Sequence, residues 1–164
     1  MLKKYGVKSV QFSIDGMQSN HNWMRGDGNF ELIAQAVNQL KGADINTALM
    51  FTLFDFNKDD LLLAMNYASE IKVDRFSFDV GIDIGNAQTN GLFMIDEDVL
   101  EDILNAYIDE KERIKSKNKN IFFEEKCNLL NRLRMQKGHF GCASSENNIL
   151  IFDGCQIGFS SFVI

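Results

Sequence analysis

The sequence contains no proline, only two histidines and one tryptophan, and three cysteines among its 164 residues. Without proline, its turns must be built from glycine, asparagine and aspartate. No apolar run approaches the ~18 residues of a membrane span, and the N-terminus lacks a signal-peptide pattern. Basic residues are also in deficit, with 17 Lys and Arg against 23 Asp and Glu, so that the net charge is −6. We therefore expect a cytoplasmic protein that binds neither nucleic acid nor a membrane.

Several catalytic patterns are missing as well. The chain has no G-x-x-x-x-G-K-[ST], no G-x-G-x-x-G after a strand and no G-x-S-x-G. His21 and His139 have no spacing that suggests a metal pair, and we interpret both as loop residues. Cys127, Cys142 and Cys155 are odd in number and lie in the last quarter of the chain. Because disulfides are rare in the cytosol, they are either free thiols or ligands of a metal or cluster.

What the chain does contain is enough apolar material for a core, with 45% hydrophobic and 11% aromatic residues. Its most informative stretch runs from Ser9 to Gly16, where apolar and polar residues alternate with the period of a strand. Gly16 ends this strand, and we expect a polar loop from there to a helix near Phe30. Ser13 and Asp15 would then lie at the carboxyl end of the strand, where barrels and open α/β folds bind their ligands.

Strand and helix patterns alternate along the rest of the chain. After the first strand, the predicted elements are a helix over 30–41, a strand over 45–54, a helix that Asn57 caps, a strand over about 74–82, a helix over 97–117, a helix over about 124–136, and a hairpin of 148–152 and 156–162. Alternation of this kind predicts parallel strands with right-handed crossovers. One side of each strand is apolar and the other polar, whereas strands covered by helices on both faces are apolar throughout. We therefore expect an α/β fold, specifically a partial (half) barrel of the TIM type with a polar interior, followed by a helix and a β-hairpin.

This arrangement resembles the radical S-adenosylmethionine (SAM) enzymes over roughly residues 5–95. The ending Ser13-Ile14-Asp15-Gly16 is similar to the "S-[LI]-D-G" end of the fourth barrel strand in some members. The segments that continue the resemblance are His21-Asn22, Arg25-Gly26, Asn29-Phe30, Val73-Asp74-Arg75-Phe76 and Gly81–Ala87. The family often has a His-Asp pair where this chain has His21-Asn22. Together the motifs imply the C-terminal half of a radical SAM barrel.

The resemblance also implies roles for individual residues. Ser13 would contact the ribose or amino-acid part of SAM, unless it is simply solvated. Asp15 would bind a ribose hydroxyl or the substrate, or alternatively stabilise the turn at Gly16. Arg25 would bind the SAM carboxylate through its planar fork, or else be a surface arginine. Thr52 is a further SAM-facing candidate. Val80 would contact adenine, although core packing is an equal alternative.

The C-terminal part resembles the start of a SPASM extension, which binds auxiliary iron–sulfur clusters. Gly141-Cys142 and Asp153-Gly154 match that pattern, so Cys142 is the one candidate metal ligand. The second family cysteine would fall near Phe159 or Ser160, and Cys155 is out of register with it. The family's defining C-x-x-x-C-x-x-C loop has no counterpart in this sequence.

These resemblances divide the chain into a partial barrel over 1–120 and a truncated SPASM-like extension over 121–164. The parent would be an iron–sulfur oxidoreductase or peptide-maturation enzyme that uses SAM and a [4Fe–4S] cluster on a peptide or small-molecule substrate. This chain alone would bind neither cofactor and would be inactive, whether it is a fragment or a shortened gene product. The alternative is a non-catalytic half-barrel module for binding or oligomerisation. Because the first and third strands would be exposed edges, a homodimer through those edges is also expected.

Overall fold

A computed structural model describes residues 2–81, 86–125, 149–152 and 156–159 of this protein. The chain divides into two compact units, Met1–Lys126 and Cys127–Ile164. The first unit is a parallel β-sheet with helices, and within the second the structure describes an antiparallel hairpin. The protein is therefore of the α/β class, as the alternation of patterns predicted.

The first unit has four strands and five helices in the part that the structure describes. The strands are β1 (Ser9–Ile14), β2 (Asn46–Leu53), β3 (Arg75–Val80) and β4 (Phe122–Glu125). The helices are α1 (Gln18–Arg25), α2 (Asn29–Gly42), α3 (Leu61–Glu70), α4 (Asn86–Thr89) and α5 (Glu97–Lys117), with 3₁₀ turns at Leu2–Tyr5 and Asp55–Asp60. Among these described helices, none is long and apolar enough to cross a membrane.

The four strands are all parallel and lie in the order β1-β2-β3-β4, which is also their order along the chain. When right-handed crossovers run repeatedly in one direction, they place successive helices in the same layer. The helices do contact one another in series. Phe30 of α2 stacks on Tyr67 of α3 with ring centroids 4.8 Å apart, and Asn66 of α3 bonds to Glu110 of α5 at 2.5 Å. One face of the sheet is thus covered by helices.

The core lies between this helix layer and the apolar face of the sheet. Leu49, Phe76 and Phe123 pair in register and are nearly inaccessible to solvent. Tyr107 of α5 packs against Phe78 at 4.7 Å between ring centroids and against Phe123 at 6.3 Å. Burying a side chain of this size contributes ~1.5–3 kcal/mol, so this aromatic group is a main source of stability.

The opposite side of the sheet is the polar face, defined here by Gln11, Ser13, Met50, Thr52 and Ser77. Gln11 and Ser13 are exposed, whereas Met50 and Thr52 on the neighbouring strand are half-buried. Because residues paired in register on parallel strands point to the same side, these residues form adjacent rows. The alternation of residue types predicted from the sequence is therefore present in the sheet, but the exposure of the polar face decreases from β1 to β3, where Ser77 is fully buried.

Two predicted elements were wrong. The segment after Gly16, expected to be a loop, contains α1, which is too short to show a helical stripe and is held by tertiary contacts instead. The helix expected over 124–136 begins in what is a strand, since Phe122–Glu125 pairs with β3. Phe123 is buried and Glu124 pairs with Arg75 at 3.3 Å, so the sheet edge decides this short segment against its helix propensity. Residues 126–136 lie outside the described part of the chain.

Most of the other predicted elements are present in the structure. The strands near 9–15, 45–54 and 74–82 and the helices over 30–41 and 97–117 are confirmed within a few residues. In the second unit, β5 (Ile149–Phe152) and β6 (Gln156–Phe159) form the predicted hairpin. The third strand is not an edge as expected, because β4 pairs with it; the described edges are β1 and β4.

Candidate functional site

The carboxyl end of β1 holds an ion pair whose carboxylate is buried. Asp15 follows the last residue of the strand and is only 4% exposed. Helix α1 then turns back and places Arg25 beside it, with Nε 2.6 Å from Oδ2 and Nη2 3.3 Å from Oδ1. This two-point contact is the strong form of an arginine–carboxylate bond, and it fixes the orientation of both groups. The sequence singled out both residues but did not predict that they pair with each other.

His21 on the same helix joins this pair. Its Nδ1 accepts the backbone N–H of Asp15 at 3.2 Å and lies 3.7 Å from the carboxylate Oδ2. Burial lowers the pKa of His21, the Asp15 carboxylate partly offsets this, and the Arg25 cation lowers it further. The imidazole is therefore neutral near pH 7, with its proton on Nε2. The prediction that His21 is a loop residue was wrong, because α1 itself had not been predicted.

Asn57 joins the ends of β1 and β2 through three hydrogen bonds. Its Nδ2 donates to the carbonyl oxygens of Asp15 and Thr52, and its Oδ1 accepts the N–H of Phe54, all at 2.8 Å. The side chain is only 1% exposed. The sequence predicted a helix cap at this position, whereas the residue lies inside a 3₁₀ turn and connects two strands.

Gly16 is required for the close approach of α1 to the turn after β2. Its φ is +147°, and a Cβ there would lie 2.4 Å from Cβ of Asn20 and 2.8 Å from Oδ2 of Asp60. That same carboxylate oxygen accepts the N–H of Met17 and the Nδ2 of Asn20, each at 2.8 Å. The turn from β1 into α1 is thus tied to the end of the neighbouring strand.

The polar face carries a second group of candidate site residues. Ser13, Met50, Ser77 and Glu124 pair in register and form one row across all four strands. Ser77 is fully buried, and its Oγ has no hydrogen-bond partner within the described part of the chain. A buried hydroxyl without a partner costs free energy, and because Ser77 has no exposed surface, a ligand cannot relieve this cost without a movement of the sheet or its cover.

A shallow cavity of about 480 Å³ lies against α1. It is lined by Gln18, Ser19, Asn22, Trp23 and Asp27. Trp23 is 64% exposed, although its ring rests edge-on against Phe56 at 5.4 Å between centroids. An exposed indole among polar groups, close to the carboxyl end of the strands, could bind an apolar or planar part of a small molecule.

The structure brings only some of the predicted site residues together. Asp15 and Arg25 bind each other, and Ser13 and Thr52 lie on the polar face. Val80 pairs in register with Leu53, belongs to the apolar face and is 5% exposed. Cys142 lies outside the described residues. Sequence reasoning missed His21 and Asn57 because their roles depend on α1 and on the 3₁₀ turn, and no local pattern marks either element.

Across residues 2–81 and 86–125, together with the two hairpin strands, no group of three or more His, Cys, Asp or Glu side chains could hold a metal ion. In comparisons with known proteins, no family model matches the chain and no curated protein matches it.

Proposed function

We propose that this chain supplies the SAM- and substrate-facing half of a radical SAM barrel, within a cytoplasmic iron–sulfur oxidoreductase or peptide-maturation enzyme. The observation that carries the proposal is the combination of sequential parallel strands, one layer of helices and a polar opposite face. A doubly wound sheet reverses its strand order and places helices on both faces. A barrel does neither, and its polar residues point inward, where ligands bind near the carboxyl ends of the strands.

The polar face offers hydroxyl groups of the kind that bind a nucleoside and an amino acid. Ser13 is exposed near the carboxyl end of β1, and Thr52 lies on the next strand. Ser77 lies on the same face, but it is fully buried and is not available to a ligand in this conformation. In this proposal the hydroxyls of Ser13 and Thr52 bond the ribose and the amino-acid portion of SAM.

The ion pair at the end of β1 has a positioning role in this proposal. The buried Asp15 carboxylate occupies Nε and Nη2 of Arg25, while the arginine side chain remains 43% exposed. The pair therefore holds a cationic group at the mouth of the site, where it could attract the SAM carboxylate. Val80 would act through packing of β3 rather than by contact with adenine, since it lies on the apolar face.

The described residues do not fit an iron–sulfur cluster. All three cysteines lie outside them, and the described part contains no set of three metal ligands. A cluster in the complete enzyme would need cysteines from elsewhere, and auxiliary ligation by Cys142 stays a prediction. We derive no chemical step for this chain alone and assign to it the binding and orientation of SAM and of a peptide or small-molecule substrate.

Equilibrium binding of S-adenosylhomocysteine, measured by calorimetry or by NMR chemical shifts, tests the proposal. The sequence alone led us to expect no cofactor on this chain, but the exposed Ser13 on the polar face changes that expectation. We now expect saturable binding that is weakened about fivefold by Ser13→Ala, the equivalent of one net hydrogen bond. Ser9→Ala is the matched control, because Ser9 is an exposed serine on the same face of the same strand, at its amino end. Equal effects of the two substitutions, or no binding at all, would contradict the proposal.

One observation favours a second candidate, a non-catalytic half-barrel binding module. The arginine that the resemblance assigns to the SAM carboxylate already uses two of its donors on Asp15, a group of the protein itself. If this bond persists in every state, Arg25 is a structural residue. The calorimetry distinguishes the two candidates, since nothing predicts that the module binds S-adenosylhomocysteine.

A further inference from the structure

At the outer edge of β1, backbone groups have no hydrogen-bond partner among the residues that the structure describes. Lys8 accepts the N–H of Asn46, which establishes that the backbone of every second residue from Lys8 onward points toward β2. The N–H and C=O groups of Ser9, Gln11 and Ser13 therefore point away from it. No strand among those that the structure describes pairs with this edge. The edge is a template for another strand.

The side chains of β1 indicate the same missing neighbour. On the central strand β2, the apolar-face residues Leu49 and Phe51 are fully buried. On β1, Val10 and Phe12 occupy the same face and are only half-buried. A strand added at this edge would cover both. The side chains that alternate with them on the polar face are short or neutral, so they present no charge that would repel an approaching strand.

We propose that, in the 164-residue chain, the occupant is β1 of a second copy, paired antiparallel across a two-fold axis at Gln11. In a complete barrel, the strand that precedes β1 would take this edge instead, so the dimer is a property of the 164-residue chain. In this register Gln11 faces its own copy and Ser9 faces Ser13 of the partner. Each such pair exchanges two backbone hydrogen bonds. On the other face Val10 of each copy packs against Phe12 of the partner. The two sheets become one continuous sheet with closed symmetry.

Charge distinguishes this edge from the one at β4. Antiparallel self-pairing of Phe122–Glu125 would gather two glutamates from each copy into one four-residue contact, and like charges near one another are destabilising. Self-pairing of β1 opposes serine to serine and glutamine to glutamine. The edge of β1 is therefore better suited than the edge of β4 to pair with its own copy across a two-fold axis.

Light scattering of the 164-residue chain over a micromolar dilution series tests the dimer. We expect a mass that rises toward twice 18.7 kDa with concentration. Gln11→Pro removes an outward N–H, which an edge strand tolerates, and should raise the dimer dissociation constant roughly tenfold or more. Gln11→Ala is the control, since it keeps that N–H and should dimerise. A mass of 18.7 kDa at every concentration would overturn the proposal. An extended segment of another protein would then be the remaining candidate for pairing with this edge. Equal dimerisation of the two variants would also overturn it.

Cross-linking tests the register without relying on the proline variant. In a chain whose native cysteines are replaced by serine, Gln11→Cys places two thiols on directly opposite residues. Their Cα atoms would be ~5.5 Å apart, which suits a disulfide. Ser9→Cys places the two thiols several residues apart along the strands, so it should not cross-link. Rapid disulfide formation by Gln11→Cys alone supports the two-fold at Gln11, whereas equal cross-linking of both variants, or of neither, contradicts it. The proposed SAM site is tested separately by ligand binding.

Discussion

Asn57 is the residue whose removal should most clearly reveal how the carboxyl ends of the strands are held together. Its side chain satisfies the carbonyl oxygens of Asp15 and Thr52 and the N–H of Phe54. Because Asn57 is 1% exposed, water cannot easily replace these bonds in an Asn57→Ala variant. The substitution therefore leaves buried backbone groups unpaired, besides removing the link between β1 and β2.

The expected cost follows from these bonds. A buried polar group that loses its partner costs ~1–3 kcal/mol, so three such groups at the lower end of this range give about 3 kcal/mol. With a urea dependence of ~2 kcal/mol per molar, the midpoint of unfolding should fall by about 1.5 M. Since domains of this size have a total stability of ~5–15 kcal/mol, the variant should still fold at low urea.

Urea unfolding followed by circular dichroism provides the measurement. Asn29→Ala is the matched control, because Asn29 also donates through Nδ2 to two carbonyl oxygens, but at an exposed position; its cost should be about 0.5 kcal/mol or less. Asn57→Asp should be at least as destabilising as Asn57→Ala near neutral pH, because a carboxylate oxygen would then face two carbonyl oxygens. If Asn57→Ala lowers the free energy of unfolding by less than about 1 kcal/mol, or by no more than Asn29→Ala does, the reasoning is refuted.

Three further predictions concern the same end of the sheet. Burial lowers the pKa of His21, so the unfolded state binds more protons than the folded state below about pH 6.5. The free energy of unfolding should therefore fall as the pH drops from 7 to 5. Melting curves recorded over this pH range should show a weaker dependence for His21→Gln. Gly16→Ala should lower the melting temperature, since a Cβ there would overlap Asn20, whereas Gly42→Ala meets nothing within 4 Å and should leave it unchanged or raised; equal effects would contradict this. Finally, the chain reconstituted anaerobically with iron and sulfide should form no 5′-deoxyadenosine above a no-protein control, and chromatographic detection of that product would disprove it.

The alternation of apolar and polar residues was sufficient to predict most of the sheet. Strands such as β2 and β3 have one face of large apolar residues, and their helices have clear stripes, so periodicity and turn residues agree. Helix α1 could not be predicted, because its eight residues are stabilised by Asp60 and by the backbone of Asp15 rather than by an apolar stripe. Strand β4 could not be predicted either, since four residues with two glutamates carry no strand signal until β3 is beside them.

In the candidate site, too, some features could be predicted from the sequence and others could not. The position of Asp15 at a strand end and the polar character of Ser13 follow from the strand pattern alone. The pairing of Asp15 with Arg25 needed α1 to reverse the chain, and the role of His21 as an acceptor needed the same helix. Contacts between residues far apart in the sequence produce no periodic pattern. The roles of these side chains can therefore be recognised only in the folded structure.

The coding sequence directly upstream of Met1 in the source genome tests the central claim most directly. If the chain is the C-terminal half of a radical SAM barrel, an in-frame upstream region should encode further β/α units and a C-x-x-x-C-x-x-C motif after their first strand. Sequencing that region across the reading frame decides the matter. A stop codon in frame before Met1, with no cysteine motif upstream, would contradict the radical SAM proposal and favour the non-catalytic half-barrel module.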